Sequence, residues 1–469
     1  MSEVPLTIKA AAAAIRDGQI SSATLTADLL DRIEHLNPAL GAFIAVTGEE
    51  AMAAARQADT DFYRGIDKGP LQGIPLGVKD IIATRDAPTT ANSHILDRNW
   101  GAFRDAPVVE RLRKVGSVLL GKTVTSEFAL GAPDPDNGFP IPKNPWNTEH
   151  SAAGSSAGSG IAVAAGLALG ALGTDTGGSV RGPAAANGHT GLKVTYGRVP
   201  KFGVVPLSYS LDSVGPMART AWDCAALLAV MAGYDPRDPT AADEPIADYT
   251  AALNGSVAGM RIGVPMEYFF DSPELSDEVR TAVLDAIEVL KGAGALIKEI
   301  TIPHASEAKS ANNLVMSAEA FAYHHDDMRD RWQLYGRYTR TGIARGALFS
   351  GPDYVQAQRF RFYFKRRVAT TMADLDVLIT PTSTTPAEKR DQVDMTKRLM
   401  GVSFTGIWNL IGLPALALPC GFSSNGLPLS MQIVGKPFDE ATVLRVGDAY
   451  QRAVDWHLRV PPMAQAVAA

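Results

Sequence analysis

Apolar residues recur at helical spacing near the start of the chain. In SSATLTADLLDRIEHLN, Leu25, Leu29, Leu30 and Ile33 share one face, and Ser21 and Ser22 stand where a helix cap belongs. Helices are therefore expected through residues 1–65. From Gly69 the pattern changes: GPLQGIPLGVKDIIAT is a short apolar strand framed by Gly and Pro, and PVVERLRKVG followed by SVLLGKTV predicts a helix and then a strand. Downstream, MRIGVP, SDEVRTAVLDAIEVLKGAG and LIKEITIP predict strand, helix and strand. Residues 310–374 predict a helical cover, dense in polar and aromatic side chains in FAYHHDDMRDRWQLYGRYTR and RFRFYFKRR. LDVLITPT, PALALPCGF and PLSMQIVG return to strand character before a closing helix in EATVLRVGDAYQRAV. This alternation predicts an α/β architecture. No linker divides it, so a single domain over residues 1–469 is expected.

Composition narrows the class. The chain has 469 residues, 46% hydrophobic and 20% charged, with 43 Gly and 30 Pro, which describes a globular protein with a large core and many tight turns. A net charge of −6 argues against a nucleic-acid or anionic-membrane surface and favours a small polar or uncharged substrate. Neither cysteine, Cys224 nor Cys420, sits in a metal-binding spacing, and both read as buried apolar thiols. The N-terminal MSEVPLTIKAAAAAIRDG lacks the pattern of a secretory signal, and Gly, Pro or charge interrupts every apolar run before the roughly 20 residues a bilayer span needs. A cytoplasmic location is the expectation.

Three chemistries compete for the glycine-rich stretches. GSVLLGKT, Gly116 to Thr123, fits a phosphate-loop pattern letter for letter, but a helix precedes it and its interior is Val118, Leu119 and Leu120, so it predicts a buried strand with Lys122 structural or at the surface. A serine–histidine pair is not supported either. Of eight histidines only His150 and His189 flank the Gly-rich region, and GSSAG has no strand leading into it. Lysine is the third route. Its amine is useless as a base near its ordinary pKa of about 10.4, but burial lowers that value. Lys79 stands among Ile74, Leu76, Val78 and Ile81, where an inward side chain would lose its solvation; Asp80 beside it could instead keep it charged, or the side chain could reach solvent.

Lys79 is followed by HSAAGSSAGSGIAVAAG, with Ser155 and Ser156, and then by GTDTGGSVRGP, with Ser179 placed 24 residues after Ser155. From about Gly69 to Thr220, and again in LDVLITPT and NLIGLPALALPCGFSSNGLPLSMQIVG, the chain resembles the amidase signature family of serine hydrolases. The resemblance implies a single large domain with a mixed, mostly parallel twisted β-sheet covered by helices, its signature core at 69–220 and residues 310–374 over the active site. It further implies Ser179 as nucleophile, Ser155 as bridging serine with a cis peptide bond from Gly154, and Lys79 as base. The amides of Thr176, Gly177, Gly178 and Ser179 would hold the oxyanion, and glycine there lets the chain turn tightly enough for amides to converge. Ser156 would support the loop, while Asp175 and Arg181 would fix it through an ion pair or hydrogen bonds, with Asp212 in the same network. Gly131 and Ala132 would line the substrate pocket; Trp332, Tyr335 and Tyr338 in the cover are candidate contacts for an apolar or aryl substrate, and surface helix packing explains them equally well. Neither metal nor cofactor is implied.

The chain departs from the family pattern in three places. Ala153 and Ala157 stand where glycines are usual, Ser430 replaces a common glycine, and Gly182 follows Arg181 where many relatives carry a larger residue. Gly182 would widen the pocket. On these grounds the expected activity is a broad-specificity hydrolase that cleaves small-molecule amides, and related esters or carbamates (urethanes), through an acyl-enzyme on Ser179, with no nucleic-acid or membrane partner. The alternative is a glutamine-hydrolysing A-type amidotransferase subunit working in a complex. It is set second because no specific feature for glutamine capture is visible and Gly182 stands where that subunit usually has a polar residue.

Overall fold

One sheet of eleven strands organises the molecule, with residues 5–101 and 104–465 described in the computed structural model. In chain order the strands are β1 (Phe43–Val46), β2 (Pro75–Lys79), β3 (Val118–Thr123), β4 (Gly170–Asp175), β5 (Thr190–Lys193), β6 (Ser213–Ala218), β7 (Arg261–Pro265), β8 (Leu296–Ile300), β9 (Val377–Pro381), β10 (Ala415–Phe422) and β11 (Pro428–Val434). They lie side by side in the order β1-β3-β2-β4-β6-β5-β10-β11-β9-β7-β8. Every residue of β2, β3, β4, β5, β6, β9 and β11 is buried, as runs such as VLLGKT and PLSMQIV require when helices cover both faces. The outer strands are treated differently. β1 is only four residues long, and β8 carries Lys298 and Glu299 at exposed positions, two devices that discourage further strand pairing.

The sheet is mixed, but parallel pairing is the minority. Four neighbouring pairs are parallel (β2/β3, β2/β4, β7/β8, β7/β9). The other six are antiparallel (β1/β3, β10/β11, β5/β10, β9/β11, β4/β6, β5/β6). Strand–helix alternation cannot register that β10 turns straight back as β11, or that β6 returns antiparallel between β4 and β5. Strand β1 is an addition to the expected N-terminal helices, because four residues are too few to set a period.

The expected helices form where their caps and apolar faces predict. Helix Ser22–Leu40 is capped by Ser21, whose Oγ accepts from Thr24 N at 2.9 Å, and buries Leu25, Leu29, Ile33, Leu36 and Leu40 before Gly41 ends it in the left-handed conformation. Helix Ala157–Ala164 is buried along its whole length. A Cβ on its Gly158 would stand 2.3 Å from Ala42 O and 2.4 Å from Val124 N, so main chain packs directly on main chain here. Helices Ala305–Asp330, Arg337–Ala344 and Gly351–Thr371 make the cover. Among the described residues no helix is long and apolar enough to cross a membrane.

Candidate active site

The site gathers at the carboxyl ends of β2 and β4. Their parallel register, with Val78 beside Leu172, brings Lys79 next to the end of β4. Lys79 is fully buried, and its Nζ donates to Ser155 Oγ at 2.7 Å and to Thr174 Oγ1 at 2.8 Å. Burial pulls the amine down to about 7, against the opposing fields of Asp175 and Asp212. Asp80 does not neutralise it. Successive strand residues face opposite ways, and Asp80 pairs instead with Lys122, 3.1 Å away, which also donates to Ile82 O and Thr89 Oγ1, each at 2.8 Å. Lys122 is thus a buried structural lysine. A third buried lysine, Lys193, donates only to the carbonyls of Val194 and Leu413. Of the three, Lys79 is the one in contact with a serine hydroxyl.

Ser155 is buried, and the peptide bond from Gly154 is cis. Ala153, where the family has glycine, adopts a φ of 54°. Ser156 sits behind the site: its N–H donates to Ser179 O at 3.2 Å and its Oγ bridges the main chain of Thr174 at 3.2 Å. These bonds dock the serine pair against the loop that carries Ser179. Ser179 is half-buried, and its Oγ makes no hydrogen bond to the described residues. Thr174 is a member of the site that sequence reasoning misses. Its only sequence signal is a hydroxyl between the Gly/Ala/Leu run of β4 and Asp175, two residues before Thr176.

The loop after β4 is shaped by a buried ion pair. Arg181 holds Asp175 with two contacts, Nη2 to Oδ1 at 3.0 Å and Nε to Oδ2 at 3.1 Å, and neither side chain is exposed. Burial alone would raise the Asp175 carboxyl, but the Arg181 guanidinium outweighs it, and Asp175 stays well below the usual carboxylate range. The same carboxylate accepts from Gly178 N at 2.7 Å and Val180 N at 3.1 Å. Asn409, on the short helix Gly406–Leu410, braces the pair, donating to Asp175 Oδ1 at 2.8 Å and accepting from Arg181 Nη2 at 2.6 Å. Asp212 joins from another segment, accepting from Thr176 Oγ1 at 2.6 Å.

This pattern corrects one expectation. The Gly178 amide is occupied by Asp175, so it is not free to hold an oxyanion. Glycine is needed at 178 for a different reason: φ is 129°, and a Cβ would fall 2.4 Å from Thr405 Oγ1. The amides of Thr176, Gly177 and Ser179 donate to no described residue.

A cleft opens beside Gly154, with Ser126, Gly131, Ala132 and Tyr338 among its walls. Gly131, at φ 81°, passes beneath the cover, where a Cβ would approach Tyr338 Cβ to 3.3 Å. Three hydrogen bonds pin the cover to this rim: Gly336 N to Glu127 Oε2 at 2.9 Å, Arg337 N to Asp134 Oδ2 at 2.7 Å, and Thr339 Oγ1 to Leu130 O at 3.2 Å. Of the three aromatic contacts expected from the cover, only Tyr338 lines the cleft. Tyr335 is buried against His324, its hydroxyl 2.9 Å from Nδ1, and Trp332 lies under Arg340. His150 and His189 face main-chain carbonyls, and Ser430 is spent inside the sheet on Leu418 O and Thr382 Oγ1. Among the described residues no group of three His, Cys, Asp or Glu side chains could hold a metal ion.

Comparison with known proteins fits this geometry. The sequence profile of the Amidase family matches residues 24–444. The A subunit of the glutamyl-tRNA(Gln) amidotransferase of Chloroflexus aggregans is 44% identical, over 98% of this chain and 99% of its own. Among solved structures, a chain from a vestigial protein complex, described as revealing the evolutionary origins of an s-triazine catabolic enzyme, superposes with a TM-score of 0.89 at 31% identity, covering 95% of this chain and 98% of that one. The A subunit of the glutamyl-tRNA(Gln) amidotransferase of Thermotoga maritima superposes with a TM-score of 0.81 at 30% identity, covering 96% of each chain. These relatives overturn the expectation of a broad-specificity hydrolase that meets small-molecule amides, esters or carbamates on its own. That preference rested on the lack of a visible glutamine-capture feature and on one position, Gly182; the likeness to subunits of a larger enzyme runs through nearly the whole chain. With its sequence profile, its eleven-stranded sheet and its lysine–serine contact, the chain belongs to the Amidase family.

Proposed function

We propose that this chain is the glutamine-hydrolysing A subunit of an amidotransferase, which releases ammonia for a reaction completed with partner subunits. The observation that carries this reading is the 44% identity, across 98% of the chain, to the A subunit of a glutamyl-tRNA(Gln) amidotransferase. A net charge of −6 is compatible with it, because in a multisubunit enzyme the tRNA can be held by a partner.

In this reading neutral Lys79 accepts the proton of Ser155, and Ser155 takes the proton of Ser179 as Ser179 Oγ turns onto it and attacks the carboxamide carbon of glutamine. The tetrahedral oxyanion rests on the free amides of Thr176, Gly177 and Ser179. Removing one such donor typically costs about 10² to 10³ in rate. Collapse returns the proton through the same hydroxyls to the departing nitrogen, which leaves as ammonia. Water then attacks the γ-glutamyl ester on Ser179, and glutamate is released. Asp175 and Arg181 act on the loop, not on the substrate: their ion pair keeps the amides in place.

The test is the assembled enzyme with its partner subunits. Glutamine should support amidation of glutamyl-tRNA(Gln), and Ser179→Ala should abolish that activity while externally supplied ammonium still supports it. Amidation from glutamine by the Ser179→Ala enzyme, or none by the parent, would sink the proposal.

A further inference from the structure

The cleft beside Ser155 has a chemical bias that the nucleophile loop does not account for. It encloses about 110 Å³ between Gly154 and Gly131, beneath Tyr338. Its only charged lining residues are two arginines, Arg390 and Arg398, and no described acidic residue lines it. Arg390 is positioned by main chain. Glu388–Arg390 runs antiparallel to Glu149–Ser151, with Ser151 N donating to Glu388 O and Arg390 N to Glu149 O, both at 2.8 Å. Its Nε donates to Thr148 O at 2.9 Å, and no carboxylate pairs with it among the described residues. Arg398, on the short helix Met395–Met400, has one long contact of 3.3 Å to Glu388.

A guanidinium without an acid, on the wall of an otherwise uncharged cleft, is matched by a carboxylate, whose two oxygens fit its fork of donors. Behind this wall, a Cβ on Gly182 would stand 3.7 Å from Gly154 O and 4.0 Å from Ala153 Cβ, ordinary contact distances to two residues that line the cleft.

We propose that Arg390 and Arg398 form a carboxylate subsite, so that the site selects amides whose acyl chain ends in a carboxylate. The inference deepens the glutamine reading, and rests on it for the carboxamide end. It assigns the recognising side chains to a segment more than 200 residues from the nucleophile in sequence, brought to the cleft by the strand-like pairing at Glu149–Ser151.

The probes are glutaramate and pentanamide, which share a carboxamide and a three-methylene chain and end in a carboxylate or a methyl group. Their binding to the full chain carrying Ser179→Ala is measured by titration calorimetry, so that no turnover is needed. Glutaramate should bind at least about 10-fold more tightly, and adding Arg390→Gln with Arg398→Gln should bring the ratio close to 1. Equal binding in the parent, no binding of glutaramate, or a preference that survives loss of both arginines overturns the subsite. If circular dichroism shows the double variant to be misfolded, each single variant is measured, and a preference unchanged in both is equally fatal. Amidation from glutamine by the assembled enzyme is a separate readout: it can fail while the carboxylate preference stands, and the preference can fail while amidation stands.

Discussion

Lys79 Nζ donates to Ser155 Oγ at 2.7 Å inside a pocket where no carboxylate contacts the amine, while its sequence neighbour Asp80 is committed to Lys122 at 3.1 Å on the other side of the strand. Two buried lysines are thereby given opposite electrostatic settings by adjacent residues. One is free to lose its proton near neutrality; the other is paired.

The pH dependence follows from this arrangement. Burial lowers Lys79 to about 7, and only its neutral form has a lone pair to accept a proton. The kcat/KM for glutamine in the assembled enzyme should rise as pH passes upward through about 7 and then level off, and should be lost as pH falls and Lys79 is protonated. An acidic limb near the ordinary carboxylate range, with full rate at pH 6, would contradict the assignment.

Replacing the base separates chemistry from binding. Lys79→Met should lower kcat by about 10² to 10⁴, the usual worth of a positioned general base, with a much smaller change in KM. Steady-state kinetics on glutamine check both parameters. A raised KM with unchanged kcat would make Lys79 a binding residue.

Lys122→Met addresses the paired lysine. It leaves Asp80 buried without its cation, which typically costs about 3–5 kcal/mol. Urea denaturation should show a stability loss of that order, and the midpoint of the pH–rate profile should stay where it was, because Lys122 touches no reacting hydroxyl.

The Asp175–Arg181 pair should behave as a loop clamp. Arg181→Met strands a buried carboxylate and should destabilise the fold by about 3–5 kcal/mol. The sign of the pH effect is set by Asp175, whose folded-state pKa is depressed: its stabilising contribution is present above the unfolded carboxylate value near 3.9 and is lost as pH falls toward the lower, folded value. In Arg181→Met nothing from Arg181 opposes the effect of burial on Asp175, so that acid-side loss should shrink or disappear, read by denaturation at several pH values.

Gly158→Ala tests the close approach of main chain to main chain. The new methyl would meet Ala42 O at 2.3 Å and Val124 N at 2.4 Å, both backbone atoms with no rotamer to change. A destabilisation of about 1–3 kcal/mol or more is expected from thermal or urea unfolding.

Much of the site is legible in the chain because its key groups announce themselves locally. Lys79 lies in an apolar strand, Ser155 at the head of a Gly/Ala-rich helix and Ser179 in a Gly-rich turn, and their resemblance to one family needs only order and spacing. The long helices are equally legible, since caps and apolar periodicity act within a few residues of each other. Strand β1 is too short to show a period, and strand direction across the sheet is a choice between segments far apart in sequence.

The sequence by itself determined the chemical inventory: a lysine with apolar neighbours, two serines in glycine-rich settings, an acid and an arginine beside the second serine, and no cysteine or histidine pattern to compete with them. Folding decided how these groups were used. Strand alternation sent Asp80 to Lys122 and left Lys79 unpaired; the Asp175 carboxylate took the Gly178 amide out of the expected oxyanion set; Thr174 became the second acceptor for Lys79; Tyr335 turned inward while Tyr338 reached the cleft. The preference for a free-standing hydrolase fell to the likeness, over nearly the whole chain, to an amidotransferase A subunit. A nucleophile is recognised by its immediate neighbours, whereas the walls of the neighbouring cleft come from residues such as Tyr338, Arg390 and Arg398, which lie far downstream and come beside Gly154 only through tertiary packing.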